Sequence, residues 1–261
     1  RGGQIFNNTA AQRGGGIYAQ FGALTLQDGQ IDHNTANLGG GVFVDLSMAS
    51  WRQTGGMVSY NNALSQGGGV FLNWATGEMS GGKIDANHAI SGGGLYLAGS
   101  SSVYTQTGGL LFNNSAAAGG GLYVNAGRTT VRNAAFIGNT ADRGAGCYNA
   151  SNLELVNVTL SGNAATQNGG ALYNTGTVKA TNVTLVHNSA FAGGGVYDTN
   201  RVSLRNTIIA NNNGGNCNRA LISEGYNLSS DSACGLNGTG DILIADPELG
   251  PLDDNGGNTL T

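Results

Sequence analysis

Residues 118–123 read AGGGLY. Three consecutive glycines are an unfavourable choice inside ordered backbone, because glycine loses the most conformational freedom on folding and brings no side chain to pack. The run nevertheless recurs. Its first glycine falls at Gly14, Gly39, Gly67, Gly92, Gly119, Gly144, Gly169 and Gly193, at spacings of 25, 28, 25, 27, 25, 25 and 24 residues. Ala145 replaces the middle glycine once, and Ala171 the third once. The first position, never replaced, reads as a requirement for positive φ; the next two need only be small.

Four columns share this register. An apolar residue follows the glycines, and after it comes an aromatic in every copy: Tyr18, Phe43, Phe71, Tyr96, Tyr123, Tyr148, Tyr173 and Tyr197. Five or six residues before each glycine run stands an asparagine: Asn8, Asn34, Asn61, Asn87, Asn114, Asn139, Asn163 and Asn188. Three residues before each asparagine is an apolar residue, from Ile5 to Leu185. A ninth, degenerate copy is read from Ile208 to Asn211. Segments such as GGVFVD, ALTLQD and GQIDHN alternate apolar and polar residues, as half-buried strands do. The glycine content opposes helix.

One coil per 24–28 residues, with three short strands per coil, predicts an all-β parallel β-helix of about nine coils over residues 1–212. The crossover rule makes it right-handed. Residues 213–261 are expected to form an irregular C-terminal capping region. Like residues then stack about 4.8 Å apart. Glycine lets tight corners approach each other. Asparagine tolerates left-handed turns, and its amide can bond the copies above and below, forming a structural ladder. The aromatics, one position beyond an inward residue, are expected to form an outward stripe, a candidate binding or assembly surface.

Composition narrows the partners. Charged residues are 10% of the chain, the net charge is −4 and no basic cluster exists, which argues against nucleic acid. There are 47 glycines but only 2 prolines, with 39% hydrophobic residues, unlike disordered or collagenous chains. No apolar run is long enough to be a transmembrane helix. The sequence opens in mid-pattern at Arg1, so a processed chain or a fragment is expected.

The literal matches GGAL at 169–172 and FIGN at 136–139 resemble the repeats of chlamydial polymorphic outer-membrane proteins. NTIIANN at 206–212, GYNLSSDSACGL at 225–236 and GTGDILIADPELGPLDDNGGNTLT at 238–261 resemble the choice-of-anchor Q family. The resemblance covers nearly the whole chain. It implies a secreted β-helix that continues into a cell-surface anchor, with truncation expected after Thr261, and it brings no catalytic activity.

Cys147 occupies the apolar column, so a buried, inert thiol is expected. Cys217 and Cys234 lie outside the repeat, 17 residues apart, and a disulfide between them fits an extracytoplasmic setting. The alternative, a metal site, lacks nearby histidines or a CxxC pair.

Carbohydrate-active β-helix enzymes, lyases or hydrolases, need clustered carboxylates. The coil acids Asp28, Asp32, Asp45, Glu78, Asp85, Asp142, Glu154 and Asp198 are scattered across columns, and only Asp32 and Asp85 share a register. His33, His88 and His187 read as exposed loop residues. A Ca²⁺ site is conceivable at Asp241, Asp246, Glu248, Asp253 and Asp254, against a solvated acidic cap. An ice-binding threonine array is not expected, since the outward column before each ladder corner ends in only three threonines, read as Thr159, Thr184 and Thr207. Sequons occur at Asn7, Asn113, Asn157, Asn182, Asn227 and Asn237. The expected function is a non-catalytic secreted or cell-surface structural or adhesive module. Its expected partners are surface glycans or proteins, or itself, head-to-tail in filaments; the alternative is the carbohydrate-active enzyme.

Overall fold

The computed structural model describes residues 2–253, and among them there is no α-helix. Parallel strands wind into a right-handed β-helix of about eight turns. An eight-stranded sheet is built from the segments after the glycine runs, from Ile17–Ala19 to Val196–Asp198. Its register pairs each column with itself, as in Leu122↔Cys147 and Tyr123↔Tyr148. A larger sheet takes two strands from most turns, such as Ala49–Gln53 and Met57–Ser59. In two turns these merge into the ten-residue strands Arg128–Ile137 and Asn152–Ser161. A fourth side closes each turn through short strands such as Thr35–Leu38 and Asn62–Gln66, or through single bridges. The turn thus has three principal strands and a short fourth arm.

The inward columns make one continuous core running from Ile31 to Leu236. One column cannot stack like on like. Trp51 and Tyr104 both point inward, and Gly77 lies in register between them. A Cβ at Gly77 would run into Leu72 Cδ1 and lie 3.1 Å from the Tyr104 ring. Large, absent and large side chains thereby fill the space that three equal ones would overpack.

The first glycine of every run has positive φ, between 61° at Gly193 and 69° at Gly169. The next two abut the following coil; a Cβ on Gly41 would lie 2.6 Å from the Gly69 carbonyl oxygen. The ladder asparagines themselves are not left-handed. That conformation belongs to the residue before each: Asn7, His33, Tyr60, Ala86, Asn113, Gly138, Gly162, His187 and Asn211. The expected left-handed turn is therefore real but sits one residue earlier. This frees the asparagine to aim its amide along the rod.

The ninth copy is also displaced by one. Leu185 pairs with Ile209 and Thr184 with Ile208, so this copy runs from Ile209 to Asn212. Thr207 leaves the outward column and is buried, its Oγ1 donating to the Arg205 carbonyl at 3.0 Å. Beyond it, parallel pairing continues in shortened form. Ile222–Ser223 pairs with Ser203 and Leu204, Leu228–Ser229 with Ile208 and Ile209, and Ile242–Leu243 with Leu228–Ser229. Cys217 and Cys234 are joined by a disulfide beneath this cap. Cys147 is free and buried.

Candidate interaction surface

Two ladders dominate the repeat. In the first, each asparagine Nδ2 donates to Oδ1 of the asparagine in the next coil, beginning with Asn8 to Asn34 at 2.9 Å and Asn34 to Asn61 at 3.0 Å. The series continues through Asn61, Asn87, Asn114, Asn139, Asn163 and Asn188 to Asn212. The same Oδ1 also accepts the preceding asparagine's main-chain N–H, and Nδ2 donates as well to a carbonyl in the previous coil, as from Asn114 to Ile84. The interior members are buried and have these donors and acceptors paired. Asn216, which the sequence reading omitted, ends the ladder: it accepts from Asn212 at 2.9 Å and donates to Ser229 and Ser230 Oγ.

In the second ladder the aromatic rings stack. Centroid distances from Phe43 through Tyr197 run 4.7, 5.0, 5.0, 4.5, 4.8 and 5.2 Å. Tyr18 joins at 5.7 Å with a tilt of 51°. The rings lie outside the main core, but a uniformly outward stripe is not what forms. Phe43, Phe71 and Tyr96 are buried as a small core of their own. Leu38 packs there, the Arg13 guanidinium lies 5.2 Å from the Phe43 centroid, and Gln66 donates to the Tyr96 hydroxyl at 3.3 Å. Leu38 and Gln66, each just before a glycine run, thus reach over these three rings. Tyr123, Tyr148, Tyr173 and Tyr197 are left half-exposed. Their faces are occupied by one another, so the solvent meets ring edges and hydroxyls.

Two buried carboxylates, one near each end of this sheet and one position apart in register, follow the aromatic column. Asp45 and Asp198, which the sequence reading counted among scattered acids, are 4% and 2% exposed. Asp45 accepts from Asn73 Nδ2 at 2.8 Å and pairs with Arg13 at 2.9 Å. Asp198 accepts from Asn174 Nδ2 at 2.8 Å and pairs with Arg219 at 3.2 Å. Each buried carboxylate thus meets a cation and an amide from neighbouring coils, which offsets its desolvation.

Asp32, Ser59 and Asp85 line up in register on three consecutive coils. His33 Nδ1 lies 3.0 Å from Asp32 Oδ2, and the His33 ring stacks on Tyr60 at 5.1 Å. Asp32 Oδ1 is buried with no hydrogen-bond partner. Burial raises the Asp85 carboxyl above its ordinary value, partly opposed by Lys83. His33, His88 and His187 are all exposed.

At the C-terminal end, Asp241 turns inward, accepting from the Gly238 amide at 2.6 Å and the Asn227 amide at 2.8 Å. Asp246 accepts from the Glu248 amide at 2.9 Å. Among the described residues no three His, Cys, Asp or Glu side chains gather into a metal-binding group. Asp254 lies outside the described residues. Residues 249–253 lie back along the rod and enclose a groove of about 500 Å³ with Thr159, Ser161, Thr184, Val186 and His187.

The sequons divide by location. Asn7, Asn113, Asn157, Asn182 and Asn237 are exposed. Asn157 and Asn182 belong to an outer amide ladder from Asn133 to Asn206, with links of 3.1, 3.0 and 2.8 Å. Asn227 is 1% exposed and donates to Leu204 O, Ser223 Oγ and Asp241 Oδ1, so the folded chain has no room for a glycan there.

One surface had no sequence signal. Phe21, Leu46, Met48 and Trp74 lie exposed on successive turns leaving the aromatic sheet, with Leu46 and Trp74 at positive φ. Leu46 and Met48 share one turn, and Phe21 and Trp74 come from the turns on either side; only the winding brings them onto one corner.

No family model, curated protein or solved structure matches this chain. The reading of its surface therefore rests on its own geometry.

Proposed function

We propose that this chain is a non-catalytic structural or adhesive rod working outside the cytoplasm, secreted or on a cell surface. The observation that carries the reading is where the repeated residues go. Asparagine, glycine and aromatic columns are each consumed in coil-to-coil contacts, which holds a long exterior in fixed register. The disulfide supports an oxidising compartment. The half-exposed tyrosine edges and the Phe21–Trp74 corner are the surfaces offered for contact. Kinship with the choice-of-anchor Q and polymorphic outer-membrane-protein-like β-helices, and head-to-tail self-assembly, belong to the same proposal. The purified chain should bind intact cells or surface glycans, or assemble into filaments visible by electron microscopy. A monodisperse chain that binds neither and forms no fibres would overturn the reading.

The second reading, a carbohydrate-active enzyme, is favoured by one observation: the aligned Asp32 and Asp85 carboxyls, one with an unpartnered buried oxygen and the other raised by burial. It requires polysaccharide cleavage that Asp32→Asn and Asp85→Asn abolish.

A further inference from the structure

Six of the eight stacked rings are tyrosines, and the last five, from Tyr96 to Tyr197, are consecutive. Within that run Tyr123 and Tyr148 make the closest contact, with centroids 4.5 Å apart and planes within 6°. Their Cα atoms are register partners on adjacent coils. Both are half-exposed along one edge, unlike Tyr96, which is buried with its hydroxyl held by Gln66. We propose that Tyr123 and Tyr148 form an oxidative coupling site, where a one-electron oxidant such as a peroxidase with hydrogen peroxide joins the two rings as dityrosine.

The step balances. Each phenol gives up one electron and its hydroxyl proton, leaving two phenoxyl radicals. The radicals pair to form one carbon–carbon bond between the positions ortho to oxygen. Each of those carbons then loses its hydrogen as a proton, and a proton returns to each oxygen, restoring two phenols. The two electrons and two protons lost reduce one hydrogen peroxide to two waters. The register holds the two rings nearly parallel with centroids 4.5 Å apart, and the open edge lets a ring tilt as the bond forms. Burial raises the Tyr123 hydroxyl above its ordinary value, and the neighbouring Tyr148 phenol raises it further. The later pairs of the stack lie farther apart, Tyr148–Tyr173 at 4.8 Å with planes 22° apart and Tyr173–Tyr197 at 5.2 Å. Tyr104 is sealed in the core, and Tyr60 and Tyr226 are exposed outside the stack, where a radical meets a second molecule first. The product would staple consecutive coils covalently. This inference stands on ring geometry and does not require the functional reading above.

The test is to treat the dilute, folded chain with horseradish peroxidase and hydrogen peroxide, then read intact mass, dityrosine fluorescence and cross-linked peptides. The expected result is a monomer lighter by two hydrogen atoms, with the link mapped between Tyr123 and Tyr148. Tyr148→Phe keeps the stacked ring but removes the phenol, and it should lose most of this monomeric signal. Tyr226→Phe should leave the signal unchanged. The proposal is overturned if no monomeric cross-link forms, if dityrosine appears only in dimers joined through Tyr60 or Tyr226, or if Tyr148→Phe couples internally as well as the wild type.

Discussion

The Asn114 side-chain nitrogen lies 3.1 Å from Asn139 Oδ1, and the Asn114 main-chain nitrogen lies 2.9 Å from the same oxygen. One acceptor thus takes both donors of the residue one coil earlier, and the pattern repeats along the rod. Removing an interior member leaves the preceding asparagine's main-chain N–H and one side-chain donor facing a void.

Asn114→Ala should therefore cost about 1–3 kcal/mol, the range for stranding buried polar partners. Asn114→Asp should cost more, because a buried carboxylate would face Asn139 Oδ1. Asn8→Ala, at an exposed end of the ladder, should cost little. Urea unfolding midpoints measure all three. Equal midpoints for Asn114→Ala and wild type would make this asparagine a turn residue and no more.

Glycines of the same φ sign differ in what surrounds them. Gly119 has φ +66°, and a Cβ there would lie 2.7 Å from the Leu122 carbonyl oxygen. Gly162 has φ +65°, but the nearest atom to its Cβ position is 4.0 Å away. Gly119→Ala should destabilise by roughly 1–3 kcal/mol through left-handed strain and crowding. Gly162→Asn, the residue type other copies use at that corner, should be nearly neutral. Thermal melts of the pair decide this, and equal losses would contradict it.

Reducing Cys217–Cys234 should lower stability by about 2–4 kcal/mol, with the loss concentrated in the C-terminal cap. Cys147 should stay unreactive toward iodoacetamide until the rod unfolds, since burial pushes its thiol up and closes access. Alkylation of Cys147 under native conditions, as fast as in denaturant, would contradict the sealed core.

Burial pushes the Asp241 carboxyl up, but hydrogen bonds from Ser223, from the Asn227 and Gly238 amides and from the Asn227 side chain outweigh it, so it lies below the ordinary 3.8. Its contribution to stability is therefore present above 3.8 and lost as pH falls through the lower folded value. Asp85, raised by burial against Lys83, acts with the opposite sign: its contribution is full below 3.8 and lost as pH rises through its raised value. The Gly238 amide resonance should titrate with a midpoint below 3.8 and stop titrating in Asp241→Asn. A midpoint above 3.8 would contradict the hydrogen-bond account.

The fold was legible because stacking forces like residues into columns, so the Gly-Gly-Gly-apolar-aromatic register and the Asn column could be read from spacing alone. Four things were not. Ring burial depends on Leu38 and Gln66, outside the aromatic column. The left-handed corner tolerates Tyr60, His33 and Ala86, so no residue type marks it. Asn216 enters the ladder from a loop only 4 residues after Asn212, off the repeat spacing. The buried Asp45 and Asp198 looked like ordinary surface acids because Arg13 and Arg219 reach them from neighbouring coils.

The central claim is that this rod works through its surface and not through turnover. It is tested most directly by incubating the purified chain with a panel of cell-surface and plant polysaccharides while measuring both retained protein and newly formed chain ends. The account predicts retention with no new ends. Accumulating ends that disappear in Asp85→Asn, a variant that keeps the fold, would contradict it.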